Sequence, residues 1–151
     1  MNILITGING FVGSNLENRW KNIHNIYGID INTENKANRF SWDQLDEIPD
    51  CDIIIHLAGI AQDKKNAEEE IYFRINTELT KKIFDFFSSS KCKTFIFFSS
   101  AKAIADVSED LPLTEDIDPK PVGNIIFKIK KCLIRRINKR QATTCKFDGS
   151  N

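Results

Sequence analysis

Apolar residues arrive in short unbroken bursts separated by segments of longer period. NILIT (2–6), NIYGIDI (25–31), DIIIHLA (52–58) and TFIFFS (94–99) read as buried strands, rich in β-branched and aromatic side chains. A weaker strand is expected at 39–42. Between the strands, residues 11–21 place Phe11, Val12, Leu16 and Trp20 near helical spacing. Residues 66–88 place Ile71, Ile75, Leu79, Ile83 and Phe86–Phe87 on one helical face. A Pro- and acid-rich loop follows at 106–123, and a last helix is expected over 125–140. Continuous apolar strands alternating with helices predict a parallel sheet covered on both faces, a doubly wound α/β fold. The expected strand order is 3-2-1-4-5 with right-handed crossovers. Sheets of this kind take ligands outside the C-terminal ends of their strands, so chemistry is sought there.

Composition narrows this little. The chain has 151 residues, 41% of them apolar and 28% charged, enough for one domain with one real core. It holds no apolar run long enough to span a membrane. The N-terminal MNILITG has no basic n-region and no small-residue cleavage site, so no signal peptide is expected. Cys51, Cys92, Cys132 and Cys145 form no CxxC pair and fit a reduced, cytoplasmic protein better than a disulfide scaffold or a zinc site. The formal net charge of zero conceals a split. Residues 1–119 carry 12 Lys/Arg against 20 Asp/Glu, whereas residues 120–151 carry 9 Lys/Arg and only Asp148.

Candidate chemistry begins at the first strand–helix junction, Thr6-Gly7-Ile8-Asn9-Gly10-Phe11-Val12-Gly13. Gly7 permits the tight turn. Gly10 lets backbone approach a pyrophosphate, and Gly13 lets the helix sit close to the strand. The helix N-terminus then offers N–H groups and its positive dipole end to the phosphates. The second strand is expected to end at Asp30, 17 residues beyond Gly13. An acid there accepts hydrogen bonds from the adenosine ribose and repels a 2′-phosphate, which favours NAD over NADP.

With these residues the sequence resembles the extended short-chain dehydrogenase/reductase family, the NAD-dependent sugar-nucleotide epimerases and dehydratases. TGINGFVG has that family's GxxGxxG spacing, and DIIIHLAG (52–59) resembles its fourth strand. YFRINTELT (72–80) resembles the helix that carries its Asn-Thr pair, and FIFFSSAKAIAD (95–106) resembles its fifth strand and the serine after it. The resemblance implies a Rossmann-like domain over residues 1–123 that binds NAD(H), with a sugar nucleotide as the weaker second ligand. It implies cofactor contacts from Gly7, Asn9, Gly10, Phe11, Val12, Gly13, Asp30, Leu57, Ala58, Gly59, Asn76 and Ser99. Asn76 would organise the strand ends beside the cofactor. Ser100 falls at the catalytic serine, whose hydroxyl would bond the substrate oxygen. His56 is expected to be a packed strand histidine with no catalytic role.

The family pattern breaks near residue 123. Family members continue with Tyr-x-x-x-Lys, in which the tyrosine is the general acid/base and the lysine lowers its pKa. Here the tyrosine place falls on Asn124 or on Ile125. With Asn124, Lys128 keeps the lysine place; with Ile125, that place is Ile129. The only tyrosines in the chain are Tyr27 and Tyr72, both far upstream. Family members also add a C-terminal substrate lobe, whereas this chain ends at Asn151. Residues 124–151 are therefore expected to form a divergent basic helix and tail, with the apolar stripe Ile126, Ile129, Leu133 and Ile137. The favoured account of that helix is a solvated amphipathic one. Binding to nucleic acid or to an anionic membrane is the lesser account, since no recognised motif accompanies the cations. The coincidence of the breaks also matches a frameshift or premature stop in an epimerase gene. The functional expectation is a retained cofactor domain with impaired catalysis. The alternative is a working epimerase or dehydratase of surface-polysaccharide synthesis.

Overall fold

A computed structural model describes residues 1–33, 36–60 and 74–98. Its elements run β1 (Asn2–Thr6), α1 (Phe11–Trp20), β2 (Asn25–Ile29), β3 (Arg39–Phe40), a 3-10 turn (Leu45–Glu47) and β4 (Ile53–His56). A π-helical turn (Arg74–Glu78), α2 (Leu79–Ser89) and β5 (Thr94–Phe97) follow. The five strands form one parallel sheet in the order β3-β2-β1-β4-β5, as the alternation of elements predicts.

The period-2 alternation hidden inside the apolar bursts divides the core into two layers. Ile3, Ile5, Ile26 and Ile55 point to one face, where Leu16 and Trp20 of α1 cover them. Leu4, Ile29, Ile54, Phe95 and Phe97 point to the other, under Ile83 and Phe84 of α2. The sheet is thus wound on both sides. Its register sets Ile5 beside Gly28 and Ile55, and Thr6 beside Ile29 and His56.

Three local features differ from the pattern. Phe11 and Val12, expected on the buried stripe of the first helix, are exposed, Phe11 by 87%. They stand in the first turn of α1, beyond the sheet, and Gly13 is the residue that packs. On the long helix the buried positions are Asn76, Thr80, Ile83 and Phe84, while Ile75 and Leu79 are half-buried. The π turn inserts one extra residue per turn and so advances the inward face by one position. The strands are also shorter than their apolar runs. β2 stops at Ile29 because the Asp30 carboxylate takes up the next backbone N–H, that of Ile31, at 2.7 Å.

The 3-10 turn and the segment before β4 close the far edge of the core with Leu45, Ile48 and Cys51. Cys51 and Cys92 are buried free thiols just before β4 and β5, at the N-terminal edge of the sheet. Among the described residues no helix is long and apolar enough to cross a membrane. The expected last helix over 125–140 lies outside the described residues.

Candidate functional site

The C-terminal ends of β1, β2 and β4 meet at one rim of the sheet. The glycine loop leaves β1 there. Gly7 adopts φ +71°, a conformation that costs an L-residue about 1–2 kcal/mol. Its N–H donates to the carbonyl of Ile29 at 2.8 Å, and its own carbonyl accepts the N–H of Gly10 at 3.0 Å. A Cβ on Gly7 would stand 2.9 Å from the Ala58 nitrogen. A Cβ on Gly13 would meet the Gly7 oxygen at 2.5 Å and the Ile8 Cα at 2.6 Å. These two glycines are therefore required by close backbone approach on two sides of one turn. Gly10 caps α1 without a side-chain hydrogen bond, and no acid stands in the first helical turn. The arrangement presents backbone N–H groups and the positive end of a ten-residue helix at the rim.

Asp30 closes this loop from the side of β2. Its Oδ2 accepts the Asn9 N–H at 2.9 Å and its Oδ1 accepts the Ile31 N–H at 2.7 Å. The Asn9 side-chain amide donates to the carbonyl of Asn32 at 2.7 Å. Each carboxylate oxygen holds one backbone amide and keeps acceptor capacity for a second donor. Ile31, 72% exposed, lies next to it as an apolar surface.

Beyond β4 the chain runs through Leu57, Ala58, Gly59 and Ile60. Asn76, only 2% exposed, holds this loop with both ends of its amide. Its Oδ1 accepts the Ile60 N–H at 2.9 Å, and its Nδ2 donates to the Ile60 carbonyl at 3.3 Å. A Cβ on Gly59 would fall 2.8 Å from that Oδ1. Asn76 thus acts on the loop through Ile60, from inside the fold.

His56 is fully buried between two hydroxyls. Its Nδ1 lies 2.6 Å from Thr6 Oγ1, and its Nε2 lies 2.7 Å from Thr80 Oγ1. The ring stacks on Phe97 at 5.6 Å and meets Trp42 edge-on at 6.4 Å. Sequence reasoning singled out neither Thr6 nor Thr80. The signal was present in part: Thr6 and His56 are polar residues ending two buried strands, and the parity of both strands points them to one face.

Gly7, Asn9, Gly10, Phe11, Val12, Gly13, Asp30, Leu57, Ala58 and Gly59 are thus gathered at one rim, with Asn76 behind them. Ser99, Ser100, Asn124, Ile125 and Lys128 lie outside the described residues. Of the two tyrosines, Tyr72 lies outside the described residues, and Tyr27 sits half-buried on β2, packed against the core with its ring 6.3 Å from that of Phe40. The cysteines stand at the opposite end of the sheet. Burial pushes the Cys51 thiol up to about 12, with Cys92, Asp52 and Asp50 adding to the rise. Burial also raises the Cys92 thiol. Neither is activated as a nucleophile.

Comparison with known proteins agrees with this geometry. The model of the NAD dependent epimerase/dehydratase family matches residues 3–149. The GDP-6-deoxy-D-talose 4-dehydrogenase of Aggregatibacter actinomycetemcomitans is 30% identical over 145 residues, covering 92% of this chain and 48% of that protein. Among solved structures, a short-chain dehydrogenase/reductase superfamily protein from Agrobacterium tumefaciens with bound NAD superposes with a TM-score of 0.80 at 22% identity. That match covers 95% of this chain and 47% of the other. The UDP-N-acetylglucosamine 4-epimerase of Methanobrevibacter ruminantium, in complex with UDP-N-acetylmuramic acid, gives 0.77 at 22% identity, covering 95% and 52%. The chain spans about half the length of these relatives.

Proposed function

Because the chain belongs to the NAD-dependent epimerase/dehydratase family, we propose that it is a dinucleotide-binding domain of the nucleotide-sugar type, with cofactor binding retained and catalysis impaired. The observation that carries the proposal is the Asp30 carboxylate. It is tied to the glycine loop through the Asn9 N–H and stands at the end of β2, where an adenosine ribose would lie. The residues fit the group. Gly10 leaves the rim clear of side-chain atoms beside the N-terminus of α1, which no side chain caps, and Ile31 offers an exposed apolar surface beside Asp30.

In this proposal the glycine loop and the first turn of α1 hold the pyrophosphate by backbone N–H groups. Asp30 accepts the ribose hydroxyls and repels a 2′-phosphate. Leu57, Ala58 and Gly59 bound the nicotinamide side. When bound, NAD supplies the acceptor for a hydride leaving a sugar carbon. Ser100 orients the sugar oxygen, Ser99 adds a cofactor contact, and Lys128 stands at the catalytic lysine place when Asn124 takes that of the tyrosine. The missing group is the base. Asn124 takes no proton at neutral pH, Ile125 has no polar side-chain atom, and Tyr27, half-buried on β2, packs against Phe40. General acid–base groups contribute roughly 10²–10⁴-fold to rate, so their loss leaves binding with little turnover. The relatives named for GDP- and UDP-sugars support a nucleotide sugar as the class of second ligand. Free thiols at Cys51 and Cys92 support a reducing, cytoplasmic setting.

Calorimetric titration of the full chain with NAD+, NADP+ and a panel of GDP- and UDP-sugars tests this. NAD+ should bind, more tightly than NADP+, and the sugar nucleotides should bind weakly. Absence of binding to either dinucleotide would overturn the proposal.

A further inference from the structure

We propose that His56 is a positioning residue, which fixes the Leu57–Ile60 loop against the glycine loop through a one-directional chain of hydrogen bonds. The chain can be followed donor by donor. The Ala58 N–H donates to Thr6 Oγ1 at 3.2 Å. The Thr80 hydroxyl donates to the Asn76 carbonyl at 2.8 Å, so its oxygen is left to accept. The partner available to that oxygen is the Nε2–H of His56, at 2.7 Å. A neutral imidazole protonated at Nε2 has a bare Nδ1, which accepts the Thr6 hydroxyl at 2.6 Å. Every donor then points the same way, from Ala58 through Thr6, His56 and Thr80 to Asn76.

Both ends of the chain finish on one loop. Thr6 takes the amide of Ala58, while Asn76 takes the amide and the carbonyl of Ile60. His56 is the link that joins β1 and β4 to α2. Thr6, His56, Thr80 and Asn76 are all buried, so each unmade bond would cost a desolvated polar group. Apolar side chains would fill this space at lower risk, yet four polar residues occupy it. The geometry gives them a task. The Ala58 nitrogen stands 2.9 Å from where a Gly7 Cβ would be, so the position of Ala58 determines how closely the two loops approach. That both loops face a dinucleotide rests on the function proposed above; the hydrogen-bond chain itself does not.

Nuclear magnetic resonance on the full chain separates the two. Long-range nitrogen–proton correlation should show His56 as a single tautomer, protonated at Nε2. Protonation at Nδ1, or a mixture, would overturn the chain. Thr80→Val removes the central acceptor and its donor. Amide exchange at Ala58 and Ile60 should then speed up by about five- to tenfold, while Leu4 and Ile54 keep their protection. Thr80→Ser keeps the hydroxyl and should restore the slow exchange. Unchanged exchange in Thr80→Val, or no restoration in Thr80→Ser, would refute the positioning role. If Thr80→Val does not fold, the tautomer of the unaltered protein and the exchange of Thr6→Ser, which should match it, still decide. NAD+ affinity is read on the same samples and should fall with the loss of protection in Thr80→Val. An unaltered protein that shows the tautomer but no NAD+ binding defeats the proposed function and leaves the chain standing. Undiminished NAD+ affinity in a Thr80→Val protein that has lost protection defeats the link between loop and cofactor.

Discussion

The Oδ2 of Asp30 accepts the backbone N–H of Asn9 at 2.9 Å, so the acid that ends β2 also holds the loop that leaves β1. One side chain therefore has two tasks, and replacing it should affect both. Asp30→Ala should weaken NAD+ binding by roughly 1.5–3 kcal/mol, the range for hydrogen bonds to a charged group. It should also erase most of the preference over NADP+. Asp30→Asn should keep part of the loop contact and lose the discrimination. Calorimetry with both dinucleotides measures each effect, and an unaltered preference in either variant would show that the acid lies elsewhere.

Gly13→Ala should destabilise the fold by about 3 kcal/mol, at the upper end of the overpacking range. The added carbon would meet the Gly7 oxygen at 2.5 Å and the Ile8 Cα at 2.6 Å, and neither is a flexible side-chain tip. Gly10→Ala should cost much less, because its Cβ would meet only the Gly7 oxygen, at 3.1 Å. Urea denaturation of the two variants should separate them clearly.

Stability should fall at alkaline pH. The folded state holds the Cys51 thiol protonated up to about 12, above its usual 9.0, and raises Cys92 as well. Above about pH 9 the unfolded chain loses these protons while the folded chain keeps them. The stabilisation is therefore full below pH 9 and is lost progressively as pH rises towards 12. Cys51→Ala should flatten that part of the pH profile. At neutral pH, alkylation of Cys51 and Cys92 should be slow in the folded protein and should accelerate in urea.

Turnover should be negligible. The purified chain with NAD+ and a panel of sugar nucleotides should form little product, because neither Asn124 nor Ile125 can act as a base. Asn124→Tyr should recover little on its own. Rates within the ordinary range for enzymes, about 1–10³ per second, would show that another residue takes the proton.

Much of this architecture was legible in the sequence, for a physical reason. Strands buried on both faces, such as Ile3–Ile5 and Ile53–Ile55, are apolar at every position, and a run of that kind ended by Gly7 has few alternatives. The glycine spacing and Asp30 were legible because each residue's requirement is local. Helix phase was not. Ile75 and Leu79 carry the right period, but the π turn brings Asn76 and Thr80 inward, and their hydrogen bonds compensate for burial. Phe11 and Val12 carry the right character and stand where α1 has left the sheet. The partners of His56 were hidden by distance along the chain, 50 residues to Thr6 and 24 to Thr80. Only the register of β1 with β4 and the docking of α2 bring them together.

The short β3 strand has a consequence for how the sheet can grow. Arg39 and Phe40 are its whole length, Asn38 before them turns through φ 67°, and the Arg39 guanidinium is bound to Glu17 of α1. A margin so brief, entered by a kink and bolted to a helix, offers almost no free backbone for another strand. The sheet is terminated there. Neither more polypeptide nor a neighbouring molecule finds a strand's length of backbone to pair with on that side, so the domain has one closed border.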